Sequence, residues 1–150
     1  MDWGSAEAAL RTHIEAGWAA SPYADVPLVW ENTLDDPTAT FVAIDIEGTY
    51  AEKWIFGGPG RRNSIEAGIV FFHAFTPLGS GKATSVSLIL AMTGILELRT
   101  VAPGVNMDGG NPPSPVEMRS MYDRDIPRQQ PSGNYYRCSG SVPFIVIDVR

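Results

Sequence analysis

GIVFFHAFTPLGSGKATSVSLILAMTGILEL, residues Gly68 to Leu98, joins an apolar strand to an apolar helix through a turn containing Pro77, Gly79 and Gly81. The helix carries no charge between Lys82 and Glu97. In an acidic chain such a helix has no obvious face for water. The sequence therefore predicts cover on two sides, one given by the protein's own sheet and the other by something outside the chain. Thr84, Ser87, Ala91 and Gly94 form a stripe of small residues, with Val86, Ile89, Leu90 and Leu96 as the large apolar side. Small residues let a neighbouring backbone approach closely, and the lack of charge removes the desolvation cost of that approach. Obligate interfaces resemble a domain core cut in half. The stripe is accordingly read as a subunit-interface candidate; the alternative is a loop of the same subunit folded over it.

The turn invites a second reading, since TPLGSGKAT follows a strand, opens a helix and contains Gly-Lys. A phosphate-binding GxxxxGK[ST] loop needs glycine where Thr76 stands and Ser or Thr where Ala83 stands. Both requirements fail. Glycines between a strand and a helix serve backbone geometry alone. A nucleotide-binding enzyme built on Gly79–Lys82 thus loses its main support.

Working outward, Leu10, Ile14 and Trp18 recur every four residues beside Ala6 and predict a helix from about Ala6 to Ala20, capped by Ser5. Leu28-Val29-Trp30 reads as a short strand before the turn chemistry of Asp35-Asp36-Pro37. From Thr40 to Phe56 apolar Val42, Ile44 and Ile46 alternate with Asp45, Glu47 and Thr49, the pattern of a half-solvated strand. A second strand returns from Ser64 to Thr76, with Ile65, Ala67, Ile69, Phe71, His73 and Phe75 on one face. Between them Gly57, Gly58, Pro59, Gly60, Arg61 and Arg62 form the tip of a long projecting β-hairpin. The glycines and the two arginines are candidate contacts for a partner. Val105 to Gly133, rich in Pro, Gly, Asn and Asp, reads as a long loop, and loops of that length are usually functional. The last strand, Tyr135 to Val149, contains Phe144-Ile145-Val146-Ile147, a run suited to a central strand covered on both faces. The expected fold is α+β: one domain over 1–150, a mainly antiparallel or mixed sheet, a long projecting hairpin and two packed helices.

The 150 residues, 44% hydrophobic, suffice for one core without a metal or disulfide staple. A formal charge of −6 and a pI near 4.8 disfavour a general nucleic-acid binder, which needs basic residues to neutralise phosphates. One cysteine, Cys138, excludes an internal disulfide and suits a reducing compartment. The acidic start lacks a signal-peptide core, and Val86 to Ile95 is too short to span a bilayer. His13 and His73 follow no metal-binding spacing, and no nucleophile motif or carboxylate pair stands out. The sequence calls for no catalytic residue, metal or cofactor.

Val29-Trp30-Glu31-Asn32 after an amphipathic helix, then Asp36-Pro37 and the strand from Thr40 to Ile46, resembles the tail terminator proteins of long-tailed bacteriophages and gene transfer agents. So does Gly68-Ile69-Val70 followed by Phe75, Pro77, Gly79 and Gly81 before a helix, and the ending Gly133-Asn134-Tyr135-Tyr136 through Val142-Pro143-Phe144. The resemblance covers most of the chain, although the second helix is poorer in alanine and acids and the 105–133 loop longer than the pattern. It implies a structural virion protein assembled in the bacterial cytoplasm. Such proteins form a hexameric ring that caps the tail tube, ends its polymerisation and offers the head-joining surface. The partners implied are further copies of the chain, the tail tube protein and a neck or head-completion protein. DNA would pass through the lumen without specific binding, and no membrane is involved. A head-completion or connector ring is the alternative within the same class.

Overall fold

The computed structural model describes residues 2–30, 40–48, 54–58, 63–77, 82–118 and 135–149. Two helices, α1 (Trp3–Ala19) and α2 (Lys82–Leu96), pack on one face of a sheet. The strands are β1 (Leu28–Trp30), β2 (Phe41–Gly48), β3 (Trp54–Phe56), β4 (Asn63–Pro77), β5 (Thr100–Ala102), β6 (Val105–Met107), β7 (Ser114–Met118) and β8 (Tyr135–Val149). The main order is β1-β2-β4-β8-β6-β5, with β3 beside β4 and β7 beside β8. Among the described strands only β1 and β2 run parallel, so this is a mixed, mainly antiparallel α+β domain.

The β4–β8 ladder is the spine of the molecule. It runs unbroken from Asn63↔Val149 to Pro77↔Tyr135. The other edge of β8 is shared by β6, opposite Val146 to Phe144, and β7, opposite Ser139 to Tyr135. Strands β2 and β3 pair successively along β4 and complete the long hairpin.

Helix α1 forms where its stripe predicts, and Ala6, Leu10, Ile14 and Trp18 are buried. The expected cap is corrected: Asp2 is the N-cap, its carboxylate accepting from the Ser5 backbone N–H at 2.8 Å. A carboxylate suits the positive end of the helix dipole better than a hydroxyl. The Ser5 backbone bond holds the Asp2 carboxyl below its ordinary range, with the Ser5 hydroxyl adding to the effect.

The two faces of β4 have different neighbours. Val70, Phe72 and Ala74 face the helices, while Ile65, Ile69, Phe71 and His73 lie half-buried on the opposite face. Both faces of β4 are apolar, so alternation alone cannot choose between them. Glycine does. A Cβ on Gly68 would lie 2.5 Å from Phe144 and 2.6 Å from Trp3, whose rings stack at 5.5 Å. A Cβ on Gly140 would meet Phe72 at 2.5 Å and Ile89 at 2.8 Å, where α2 crosses the sheet. The helices settle on the face that glycine has cleared.

The segment expected as one loop over 105–133 contains β6 and β7; residues 119–134 lie outside the described residues. Strand β8 is central as expected but not covered on both faces. Cys138, Val142, Phe144 and Val146 are buried under the helices, whereas Pro143, Ile145 and Ile147 are half-buried on the other side.

Candidate interaction surfaces

Helix α2 is anchored along one side. Ser85, Leu88, Ile89, Met92 and Leu96 are buried, and the Thr93 hydroxyl donates to the Ile89 carbonyl at 2.9 Å. Near its end, His13 Nε2 lies 2.9 Å from the Ile95 carbonyl oxygen, and Ile95 packs where a Cβ on Gly17 would be 2.6 Å away. These contacts fix the rotation of α2 and therefore which residues it leaves outside.

The four stripe residues fall on that outer side. Thr84 and Gly94 are exposed, Ser87 and Ala91 are half-buried, and a Cβ on Gly94 would meet nothing within 4 Å. Ser87 turns its hydroxyl back to the Ala83 carbonyl at 2.8 Å, so it presents little polarity. The large apolar side needs one correction. Leu90, expected with Ile89 and Leu96, is 54% exposed at the middle of the stripe. It lies seven residues after Ala83, two helical turns along the same face, so the outer face has a leucine knob rather than a smooth floor. Beyond the helix Leu98 is 77% exposed at φ 55°, in the left-handed region that glycine usually occupies after a helix. Its amide donates to the Asp108 carbonyl at 3.1 Å, while Glu97 accepts from Gly110 N at 3.1 Å and turns its charge toward the body.

Opposite the helices, the sheet shows a second surface that the sequence reading did not single out. Cross-strand pairs Ile65↔Ile147, Ala67↔Ile145 and Ile69↔Pro143 form an apolar ladder, continued by Phe71. One end is closed by a small cluster of Val29, Phe41 and Phe75, where the two phenylalanine rings stack at 4.8 Å. His73 belongs to this face, its Nδ1 hydrogen-bonded to Ser139 Oγ at 2.7 Å. On β2, Asp45 and Glu47 flank the ladder opposite Phe71 and Ile69. Hydrogen bonding between the two carboxyls raises the Glu47 pKa, with desolvation and repulsion from Asp45 acting in the same direction.

The far end of the hairpin carries two more large apolar groups, Ile55 at 63% and Phe56 at 51% exposure. Gly57, at φ 140°, and Gly58 follow them and are exposed. Of the other contact candidates, Gly60, Arg61 and Arg62 lie outside the described residues. In the turn before α2, Phe75 is buried and Pro77 exposed, while Gly79 and Gly81 lie outside them. Among the described residues no three His, Cys, Asp or Glu side chains are grouped to hold a metal ion, and no helix is long and apolar enough to cross a membrane.

No family model matches this sequence, and no curated protein does. Solved structures do match. One, a protein whose name carries no functional description, aligns over 97% of this chain and 96% of its own, with a TM-score of 0.63 and 13% identity. At that identity the likeness is one of fold, and it extends over the whole domain.

Proposed function

We propose that this chain is a structural ring subunit of the tail-terminator type. It caps the tail tube of a phage-like particle, ends tube polymerisation and presents the surface that joins the head. The observation that carries this reading is the outer side of α2. It is a helix face free of charge from Ala83 to Gly94, with Leu90 at its centre, which is open to water in the single chain. A face of that kind is suited to closure by another subunit, because no charge has to be stripped of water. The end of the hairpin, with Ile55, Phe56 and two exposed glycines, supplies a separate apolar tip suited to contact along the tail axis. The resemblance of the Val29–Asn32, Gly68–Gly81 and Gly133–Phe144 segments to terminators gives these surfaces their partners: neighbouring copies, the tube protein and a neck protein.

Tube assembly in the presence of the purified chain tests the proposal. Cognate tube protein polymerised with substoichiometric amounts of the chain should give tubes that stop growing and carry density at one end in electron micrographs. Tubes of unchanged length with bare ends would refute it.

A further inference from the structure

We propose that the outer face of the β4–β8 ladder is the seat for α2 of a second copy, so that each subunit offers its helix to one neighbour and its sheet to the other. The inference rests on the ring reading above and adds to it the two faces that meet.

The two surfaces match in length, polarity and charge. Helix α2 has 15 residues, about 22 Å at 1.5 Å per residue. The apolar ladder from Ile65 to Phe71 spans six residue steps, about 20 Å at 3.4 Å per residue. Both helices of the subunit pack against the other face, so neither covers the ladder. The side chains along it, Ile65, Ile69, Phe71, Pro143, Ile145 and Ile147, are only half-buried. A row of this kind is hydrophobic enough to bury a helix and has no basic residue opposite Ile69 or Phe71 on β2.

Charge selects the occupant. The groups flanking the ladder on β2 are acidic, Asp45 and Glu47. The outer face of α2 brings no acid, since Glu97 is held by the Gly110 amide. Just beyond its C-terminal end stands Arg99, basic and exposed. An α2 docked with that end beside β2 places a cation near the carboxylate pair and an uncharged surface over the isoleucines.

The contact joins two different patches, so it is heterologous. One copy cannot satisfy both of its own patches, because the sheet separates them. Head-to-tail repetition follows, and it closes into a ring when the rotation per subunit divides a full turn.

Heterologous contact gives a test that a symmetric dimer fails. Sedimentation of the full-length chain should show concentration-dependent association. Leu90→Glu, on the exposed helix face, and Ile69→Lys, on the ladder, should each sediment as monomers. Mixed in equal amounts they should form a 1:1 heterodimer and nothing larger, since one intact helix face and one intact sheet face remain between them. Glu47→Lys, at an exposed position, is the second sheet-side variant; it should weaken association about tenfold or more through charge reversal, with an unchanged circular dichroism spectrum. A wild-type chain that stays monomeric at millimolar concentration, variants that associate normally, or a mixture with no heterodimer would each overturn the contact. Tube capping separates the two levels: capping by the wild type together with unaffected variants removes this contact and leaves the ring reading standing. Association through these faces with tubes that grow unchecked does the reverse.

Discussion

Gly68→Ala tests how the N-terminal helix is fastened to the sheet. The added Cβ would lie 2.5 Å from Phe144 Cζ and 2.6 Å from Trp3 Cη2. Ordinary contact begins near 3.4 Å, so each ring must retreat by almost 1 Å. Phe144 is 1% exposed and has nowhere to go. Overpacking of this size costs about 1–3 kcal/mol, against which replacing a strand glycine returns about 0.5–1 kcal/mol through the unfolded chain. The net expectation is a loss of about 1–2 kcal/mol, or a fall in Tm of roughly 3–6 °C for a domain of this length. Urea denaturation followed by circular dichroism measures it. The attribution to Trp3 needs a second arm: in a Trp3→Ala background one of the two obstructing rings is gone, so the same substitution should cost at least about 0.5 kcal/mol less. A Gly68→Ala protein as stable as the wild type, or a cost unchanged by removing Trp3, would refute the argument that this glycine is the landing site for α1.

Leu98→Gly should stabilise the monomer by about 1 kcal/mol, because a left-handed residue that is not glycine carries a strain of that order and Leu98 buries little in exchange; thermal melting checks it, and a destabilised variant would show that Leu98 packs inside its own subunit. His13→Ala removes the contact to the Ile95 carbonyl and should cost about 1 kcal/mol in chemical denaturation, with α1 intact by circular dichroism. The Asp45–Glu47 pair predicts a pH effect whose sign follows from the raised Glu47 pKa. The folded chain holds that proton more tightly than the unfolded chain, so stability rises as pH falls from neutrality through the folded pKa toward the ordinary value of 4.5. Asp45→Asn should flatten this slope and bring the Glu47 carboxyl resonance back toward an ordinary titration in NMR; a resonance that titrates identically in both proteins would dissociate the two carboxyls.

Periodicity made much of this fold readable. The four-residue spacing of Leu10, Ile14 and Trp18, the alternation from Val42 to Glu47 and the apolar run of Phe144 to Ile147 each mark an element that forms. Three-residue strands leave no period to detect. Val105-Asn106-Met107 is a strand because Val146 to Phe144 lie opposite it, which is information from forty residues away. Strand β7 is hidden in the sequence by Pro115, a residue that sheets accept at an edge, and among the described strands β7 pairs with β8 alone. The outer face of α2 was legible through its missing charge, yet Leu90 was assigned to the wrong side because neighbouring Ile89 and Leu90 look alike until the anchors at Gly140 and Gly17 set the rotation. The apolar ladder is visible residue by residue as one face of β4, but alternation does not say whether that face turns inward. Two apolar faces on one strand leave that choice to the helices, which cover Val70, Phe72 and Ala74.

The position of β8 has a consequence for how the protein is made. Until residues 135–149 have been synthesised, the strand that joins β4 to β6 and β7 does not exist, and the described strands fall into three pieces: β1-β2-β4 with β3, β6-β5, and β7. During that interval β4 offers a bare edge of 15 residues, rich in isoleucine and phenylalanine, to any other extended chain nearby. Pairing of such distant segments is slow, since loop closure must precede the contacts that reward it. The nascent chain is thus most vulnerable to aggregation immediately before its last strand emerges. Expression at low temperature, or with a chaperone that shields strand edges, should raise the soluble yield by covering that window.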